Sequence, residues 1–391
     1  MRIAVAGMGY VGMSNAVMMA RSQYVMAYDI NAQRIDDINN RKMYLSNKGL
    51  ENAFAHELLN LKGTCDPEEA FTGADYVIVA TSTPYDDMLS TFDTSATREC
   101  IDYARKYAPE ATIVVKSTVP IGFTESECVR TGYDKILFAP EFCRQDFALE
   151  DVERPARVVV GGREDALWEA TKFANLMARC SRKLEVKIVL MGTREAEAVR
   201  LFSNAYLATR VAFFNELDTF AEETGLVTND IIEGVCSDPR IGGFYNNPSF
   251  GYGGLRLPKD TLQLSVAAQT VPNVLLESVV RSNRVRKRYI TREILAKEPK
   301  CVGVYRLTMK KDSDNCLGAA AVDIVRNLVR RGVEVKIYEP LIEEDEFMGA
   351  TIVDSLDEIK NDCDIIICNR WNNELSDVQD KVYTRDNFMR D

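Results

Sequence analysis

A chain of 391 residues, 46% hydrophobic and 27% charged, can bury a large core and has room for two or three domains. Its formal net charge of −11 excludes phosphate-backbone binding as its main business, because such binding needs a dominant basic face. No apolar run is long enough to span a bilayer, and MRIAVAGMGYVGM enters a strand at once without a secretory cleavage pattern. Neither a nucleic-acid nor a membrane partner is therefore expected, and the expected location is cytoplasmic.

The predicted elements alternate from the start. Residues 2–7 (RIAVAG) read as a strand, 10–20 as a helix, 24–29 (YVMAYD) as a strand and 31–41 as a helix. Further strands are predicted at 75–82, 111–116, 135–138 and 157–162, with helices between several of them. Such alternation implies a parallel sheet covered by helices on both faces. From 193 to 224 one long helix is predicted, with Thr193 as its N-cap and Gly225 as its stop. Its length suggests a spine that joins domains or forms a dimer interface. Helical segments are expected to continue to about residue 298, where a second α/β block begins with strands at 301–305, 334–338 and 363–368. The single histidine, His56, lies in the polar helical stretch ENAFAHELL and reads as a surface residue. Ten cysteines stand without CxxC pairs or metal-ligand spacing, so reduced thiols and no metal are expected.

The first motif is Gly7-Met8-Gly9-Tyr10-Val11-Gly12, between a strand and a helix, with Asp29 at the end of the next strand. Glycines at that spacing let backbone and helix N-terminus approach a pyrophosphate, while the carboxylate accepts hydrogen bonds from ribose hydroxyls. An acidic residue there favours NAD over NADP, whose 2′-phosphate it would repel.

Longer stretches carry a resemblance. KSTVPIGFT (116–124), APEF (139–142), RLFSNAYLATRVAFFNELD (200–218), DPRIGGFYNNPSFGYGG (238–254), LPKD (257–260), GVYRLTMKKDSDN (303–315), VEVKIYEP (333–340) and IICNRW (366–371) occur in the order of the UDP-glucose 6-dehydrogenase family of nucleotide-sugar dehydrogenases, which the chain resembles along nearly its whole length. The resemblance implies two Rossmann-like, doubly wound α/β domains joined by a long central helix. Residues 1–192 would form an NAD-binding domain, 193–298 a helical dimerisation domain and 299–391 a UDP-sugar-binding domain, in a homodimer.

It also implies roles. Members oxidise a sugar CH2OH to a carboxylate in two hydride transfers, through a cysteine thioester that a glutamate-assisted water releases. Thr118, Glu141, Asn204, Lys259 and Asp260 stand where the family has them. Arg34, Thr83 and Thr118 would join the glycine loop in holding NAD. Arg240, Tyr245, Ser249, Tyr252, Gly253, Lys310 and Arg370 would hold the UDP-sugar, with Phe142 and Cys143 beside it.

The departures cluster on chemistry. Arg256 replaces the cysteine of GGxCxPKD, Gln145 the second glutamate, and Arg200 the helix lysine. Leu317 replaces an arginine expected near the cofactor, and the family's ATPT run is ATSTP at 80–84. Arginine is neither nucleophile nor base, and glutamine can position a water without taking its proton. Three readings stay open at this point. One is an oxidoreductase performing one hydride transfer or a variant reaction, in which Arg200 and Arg256 could grip a substrate carboxylate. The second is a non-catalytic binder of NAD and UDP-sugar serving an active paralogue. The third is a full dehydrogenase whose nucleophile has moved to Cys143, against which stands the plainer reading of Cys143 as a small apolar wall residue.

Overall fold

The computed structural model describes residues 1–86, 88–254, 256–308, 316 and 318–389, so Lys310 and Leu317 lie outside the described residues. Chain contacts divide it into two units, Met1–Leu201 and Phe202–Asp391.

The first unit is built on β1 (Arg2–Ala6), β2 (Tyr24–Tyr28), β3 (Leu61–Thr64), β4 (Tyr76–Val79), β7 (Thr112–Val115), β8 (Ile136–Phe138), β9 (Arg157–Gly161) and β10 (Lys187–Met191), with β5 (Tyr85–Asp86) and β6 (Thr91–Phe92) forming a separate hairpin. The sheet order is β10-β9-β8-β7-β4-β1-β2-β3, parallel at every pairing except β8 with β9. Runs such as IAVA and YVIV form its centre because both of their faces are covered. Ile3, Val5 and Ile78 enter one core with the helix Tyr10–Ala20, while Ala4, Ala6, Val77 and Val79 enter the other. Strand order reverses between β1 and β4, and such a switch point opens a crevice outside the carboxyl ends of the strands. Gly7 follows β1, Asp29 follows β2, Thr83 follows β4, Thr118 follows β7 and Glu141 follows β8. The sequence positions singled out above thus leave one edge of one sheet.

The second unit begins within the helix Thr193–Thr224. Gly225 ends that helix as expected, at φ +71°, with Leu226 N–H donating to the Ala221 carbonyl at 2.8 Å. A β-carbon is disfavoured in that left-handed conformation. Thr193 is not the cap: the first ladder bond runs from Ala196 N–H to the Gly192 carbonyl at 3.1 Å, one residue earlier. The helices Thr228–Cys236, Leu257–Ala267 and Leu275–Leu295 follow. The helical segments expected to about 298 are separated by an irregular stretch at 238–254, where Gly242, Tyr245 and Gly254 all have positive φ and cannot continue a helix. Then come β11 (Cys301–Tyr305), β12 (Glu334–Tyr338), β13 (Glu346–Phe347), β14 (Ala350–Ile352), β15 (Ile365–Ile367) and β16 (Val382–Tyr383), in the order β13-β14-β12-β11-β15-β16. Among the described residues only β13 and β14 pair antiparallel there. Two parallel-rich α/β sheets separated by helices match the expected fold class.

His56 is exposed and ends the helix Lys48–His56. All ten cysteines are thiols. Among the described residues no helix is long and apolar enough to cross a membrane.

Candidate active site

The glycine loop is fixed by steric demands at two of its three positions. Gly7 has φ +89°, and a β-carbon there would lie 2.7 Å from the Ala80 carbonyl oxygen. At Gly12 a β-carbon would lie 1.8 Å from the Gly7 carbonyl oxygen, so helix and strand could not pack. Gly9 differs, because a β-carbon there meets no atom of the chain within 4 Å. Nothing in the fold demands glycine at that point, whereas close approach of a pyrophosphate would. The helical ladder begins with Met13 N–H to Gly9 C=O at 2.9 Å, so Tyr10, Val11 and Gly12 form the first turn, at the positive end of the helix. The residues present fit a dinucleotide.

This geometry separates two glycine substitutions. Gly12→Ala should cost about 1–3 kcal/mol of folding stability through overpacking. Gly9→Ala should leave thermal unfolding within about 0.5 kcal/mol of the unmutated chain, yet weaken NAD binding at least tenfold. Calorimetric titration of both variants checks this, and equal NAD affinity in Gly9→Ala would remove the pyrophosphate argument.

Asp29 is buried and ties the loop together. Its Oδ2 accepts from Met8 N–H at 2.7 Å and its Oδ1 from Asn31 N–H at 2.9 Å. Arg34 lies 3.5 Å from the same carboxylate, over the Tyr44 ring at 5.7 Å. Tyr44 in turn donates its hydroxyl to the Met8 carbonyl at 2.5 Å. Oδ2 accepts from both Met8 N–H and Arg34 Nη1, whereas Oδ1 keeps a second lone pair for a ribose hydroxyl. Thr83 is buried, and its neighbour Thr81 shares hydroxyl contacts with Thr97 and Ser117 at 2.8 and 3.2 Å.

At the ends of β7 and β8 the structure joins residues that the sequence reading had kept apart. Thr118 is half-buried two residues after Lys116. Lys116 Nζ and Asn15 Nδ2 both donate to Glu141 Oε2, at 3.2 and 3.1 Å, and Phe142 N–H reaches Oε1 at 3.1 Å. Burial by itself would raise the Glu141 carboxyl, but the Lys116 charge and these hydrogen bonds outweigh it and hold the pKa below the ordinary range. Asn15 also donates to the Val11 carbonyl at 2.8 Å, linking the first turn of the glycine-loop helix to Glu141. Neither Asn15 nor Lys116 was singled out from the sequence. KSTVP did contain the lysine, but nothing in a linear motif says which carboxylate it meets.

Arg200 is buried and donates to the backbone carbonyl of Glu141. It therefore braces the chain at the position where the resemblance has a titrating lysine. Gln145 is half-buried, and its carbonyl accepts from Ala148 N–H at 3.2 Å. Phe142 lies under the Arg157 guanidinium at 4.1 Å. Cys143 is only 1% exposed and packs in the same core as Ala148, Leu149 and Val152. A nucleophile must reach its substrate, so this burial favours the wall-residue reading over a relocated nucleophile. A further brace is Glu197, fully buried, which accepts from Gly122 N–H at 2.5 Å and from Thr124 N–H and hydroxyl at 2.8 and 2.6 Å. Burial outweighs those bonds and raises its pKa.

In the second unit, Asn204 Nδ2 donates to Asp260 Oδ2 at 2.5 Å, and Asp260 is fully buried. Arg256 is the N-cap residue of Leu257–Ala267, its carbonyl accepting from Asp260 N–H at 2.9 Å. A helix N-terminus lowers the pKa of a thiol placed there but disfavours a cation. The position suits a cysteine better than the arginine it holds. Lys259 follows on the first turn, half-buried.

The loop ahead of this helix is held by amide side chains. Asn215 Oδ1 accepts from Ser249 N–H at 2.8 Å, Asn369 Oδ1 from Phe250 N–H at 3.1 Å and Asn283 Oδ1 from Tyr252 N–H at 2.9 Å. Arg286 Nε donates to the Ser249 carbonyl at 3.0 Å, and Arg370 Nη1 to the Pro248 carbonyl at 2.9 Å. Ser249 and Tyr252, expected as ligand residues, have their side chains inside the fold. The Ser249 hydroxyl lies 3.2 Å from the Gly251 carbonyl, and the Tyr252 hydroxyl donates to Val279 C=O at 3.2 Å. Gly253 leads to Gly254, whose N–H meets the Gly318 carbonyl at 3.0 Å. Arg240 and Tyr245 stay accessible, with Arg240 88% exposed and paired to Asp238 at 2.6 Å.

Known proteins match the chain along its whole length. Models of the UDP-glucose/GDP-mannose dehydrogenase family match its NAD binding domain at residues 1–176, its central domain at 194–285 and its UDP binding domain at 303–391. A UDP-glucose 6-dehydrogenase of Streptococcus pneumoniae is 46% identical over 394 residues, and one of Campylobacter jejuni 38% identical over 395, each covering the whole of both chains. The solved UDP-glucose dehydrogenase of Pyrobaculum islandicum, 27% identical, superimposes with a TM-score of 0.85 over 94% of this chain and 89% of that one. The chain belongs to the UDP-glucose/GDP-mannose dehydrogenase family of NAD-dependent nucleotide-sugar oxidoreductases.

Proposed function

We propose that this chain is a UDP-sugar dehydrogenase whose chemistry stops short of the four-electron oxidation to an acid. The observation that carries the reading is Arg256 at the cap of Leu257–Ala267, together with Gln145 after Glu141. The thioester route needs a nucleophile at the first position and a base at the second, and these side chains supply neither. NAD, when bound, supplies the hydride acceptor. The chain's own residues supply the rest. Asp260, fully buried and held by Asn204, takes the hydroxyl proton through a water rather than by direct contact, and Asn204 and Lys259 stabilise the developing oxyanion. The carbon left behind is at the aldehyde level.

The remaining assignments belong to the same reading. Residues 1–192 hold NAD, 193–298 form the helical dimerisation domain and 299–391 complete the UDP-sugar site with Arg370 and Lys310. A homodimer is supported by Phe202, Tyr206, Phe213 and Phe220, which stand exposed on the long helix at intervals of four and seven residues. Ten thiols suit a reducing compartment, and we assign the protein to the cytoplasm.

The test is NAD reduction with UDP-glucose, with product mass determined in parallel. At most one NADH per sugar and no UDP-glucuronate are expected. Two NADH per sugar would overturn the reading. Binding of NAD and UDP without any NADH would favour the non-catalytic binder, which keeps the same ligands.

A further inference from the structure

We propose that Arg210, which lies in the stretch 200–218 but was given no role there, is a positioning residue that shapes the 238–245 loop for UDP-sugar binding. This rests on the reading above that Arg240 and Tyr245 face that ligand.

The loop leaves the helix Thr228–Cys236 and folds back on Asp238, whose carbonyl accepts from Ile241 and Gly242 N–H at 2.9 and 3.0 Å. Gly242 at φ +65° and Tyr245 at φ +52° then take left-handed conformations. For a tyrosine that conformation is costly and persists only where its surroundings over-determine it. Arg210 supplies such surroundings. From the middle of Thr193–Thr224 its Nη1 donates to the Ile241 carbonyl at 3.0 Å, its Nη2 to Gly242 at 3.1 Å and its Nε to Phe244 at 2.9 Å. Three carbonyls of one turn are gathered by one planar fork, which a lysine's single ammonium cannot reproduce. The guanidinium also lies 5.5 Å from the Phe214 ring, so its own direction is fixed. Five residues further along the same helix Asn215 holds Ser249, so one helix sets both halves of the loop. Meanwhile Phe244 is 79% exposed and Tyr245 43% exposed, and Arg240 projects outward. The backbone is thus gripped from behind while its side chains stay available to a ligand.

The experiment compares Arg210→Gln and Arg210→Lys with the unmutated full-length chain. Amide hydrogen exchange is followed by mass spectrometry, and UDP and NAD are titrated calorimetrically. In Arg210→Gln the 241–246 segment should exchange at least tenfold faster, while the helix Leu275–Leu295 keeps its protection. The UDP dissociation constant should rise at least tenfold with the NAD constant unchanged, and Arg210→Lys should fall between. Unchanged loop exchange would overturn the proposal, as would equal weakening of UDP and NAD alongside a general loss of protection. Should the unmutated chain bind no UDP, the function proposed above fails. Faster exchange in Arg210→Gln then still upholds Arg210's grip on the loop, and unchanged exchange overturns it.

Discussion

Replacing Asp218 by asparagine is expected to cost about 3–5 kcal/mol of stability, the largest single effect among the polar residues of the second unit. Asp218 is fully buried, with Arg286 Nη2 at 2.5 Å, Arg385 Nε at 2.9 Å and the Thr228 hydroxyl at 3.1 Å. Asparagine would leave the buried Arg286 guanidinium without its carboxylate, while the half-buried Arg385 keeps Glu222 at 3.0 Å, and the uncompensated Arg286 charge is what destabilises. Burial alone would raise the Asp218 carboxyl, but the hydrogen bonds and charges of Arg385 and Arg286 outweigh it and hold the pKa below its ordinary 3.8. The sign of the pH dependence follows. A carboxylate with a depressed folded-state pKa contributes its stability above the unfolded value, and loses it as pH falls through the folded value. Urea unfolding of the unmutated chain should therefore steepen in pH dependence below about 4, and Asp218→Asn should lack that component. Arg292, exposed and paired to Glu223 on the surface, is the control, and Arg292→Ala should change little. A loss under about 1 kcal/mol in Asp218→Asn would place the stability of this unit elsewhere.

That network also marks where sequence reading runs out. Asp218 meets Arg286 and Arg385 across 68 and 167 positions, and no local pattern encodes such a meeting. The glycine loop was legible because its constraints are local. Gly7 needs its positive φ and Gly12 touches its own turn, so spacing alone announces the geometry. The helix Thr193–Thr224 was legible from its length and its glycine stop, although its cap lay one residue earlier than expected. The edge strands β3 and β10 passed unseen. Leu-Lys-Gly-Thr has too few apolar side chains to announce a strand, and β10 is largely exposed along its length. Within the site, Asn215, Asn283 and Asn369 look from sequence like solvated amides, yet each accepts a backbone N–H of the 249–252 loop. Resemblance supplied positions without burial. It named Ser249, Tyr252 and Cys143 as ligand neighbours, and the structure has their side chains in the packing.

Reverting Arg256 to cysteine should not by itself restore oxidation of UDP-glucose to the acid. The site would accept the thiol well. It caps Leu257–Ala267, where the positive helix end favours a thiolate, and the Asn204–Asp260 pair stands four residues on. Hydrolysis of a thioester formed there would still lack the second glutamate of the family pattern, which this chain replaces by Gln145, and glutamine cannot deprotonate water. Arg200 would still spend its guanidinium on the Glu141 carbonyl, in place of the lysine's titrating amine. Groups that act as a unit lose function together, so the single variant should give at most a burst of NADH and a trapped acyl-enzyme, detectable by intact mass. The triple variant Arg256→Cys, Gln145→Glu, Arg200→Lys should turn over steadily, faster than the single variant by about 10²–10⁴-fold, the usual contribution of a positioned general base. Steady UDP-glucuronate from the unmutated chain would overturn this account and return attention to Cys143 despite its burial. A triple variant that binds NAD and UDP-glucose yet transfers no hydride would mean that the frame around the cap has moved as well, and the chain would then be a binder that kept the family's ligands after losing its reaction.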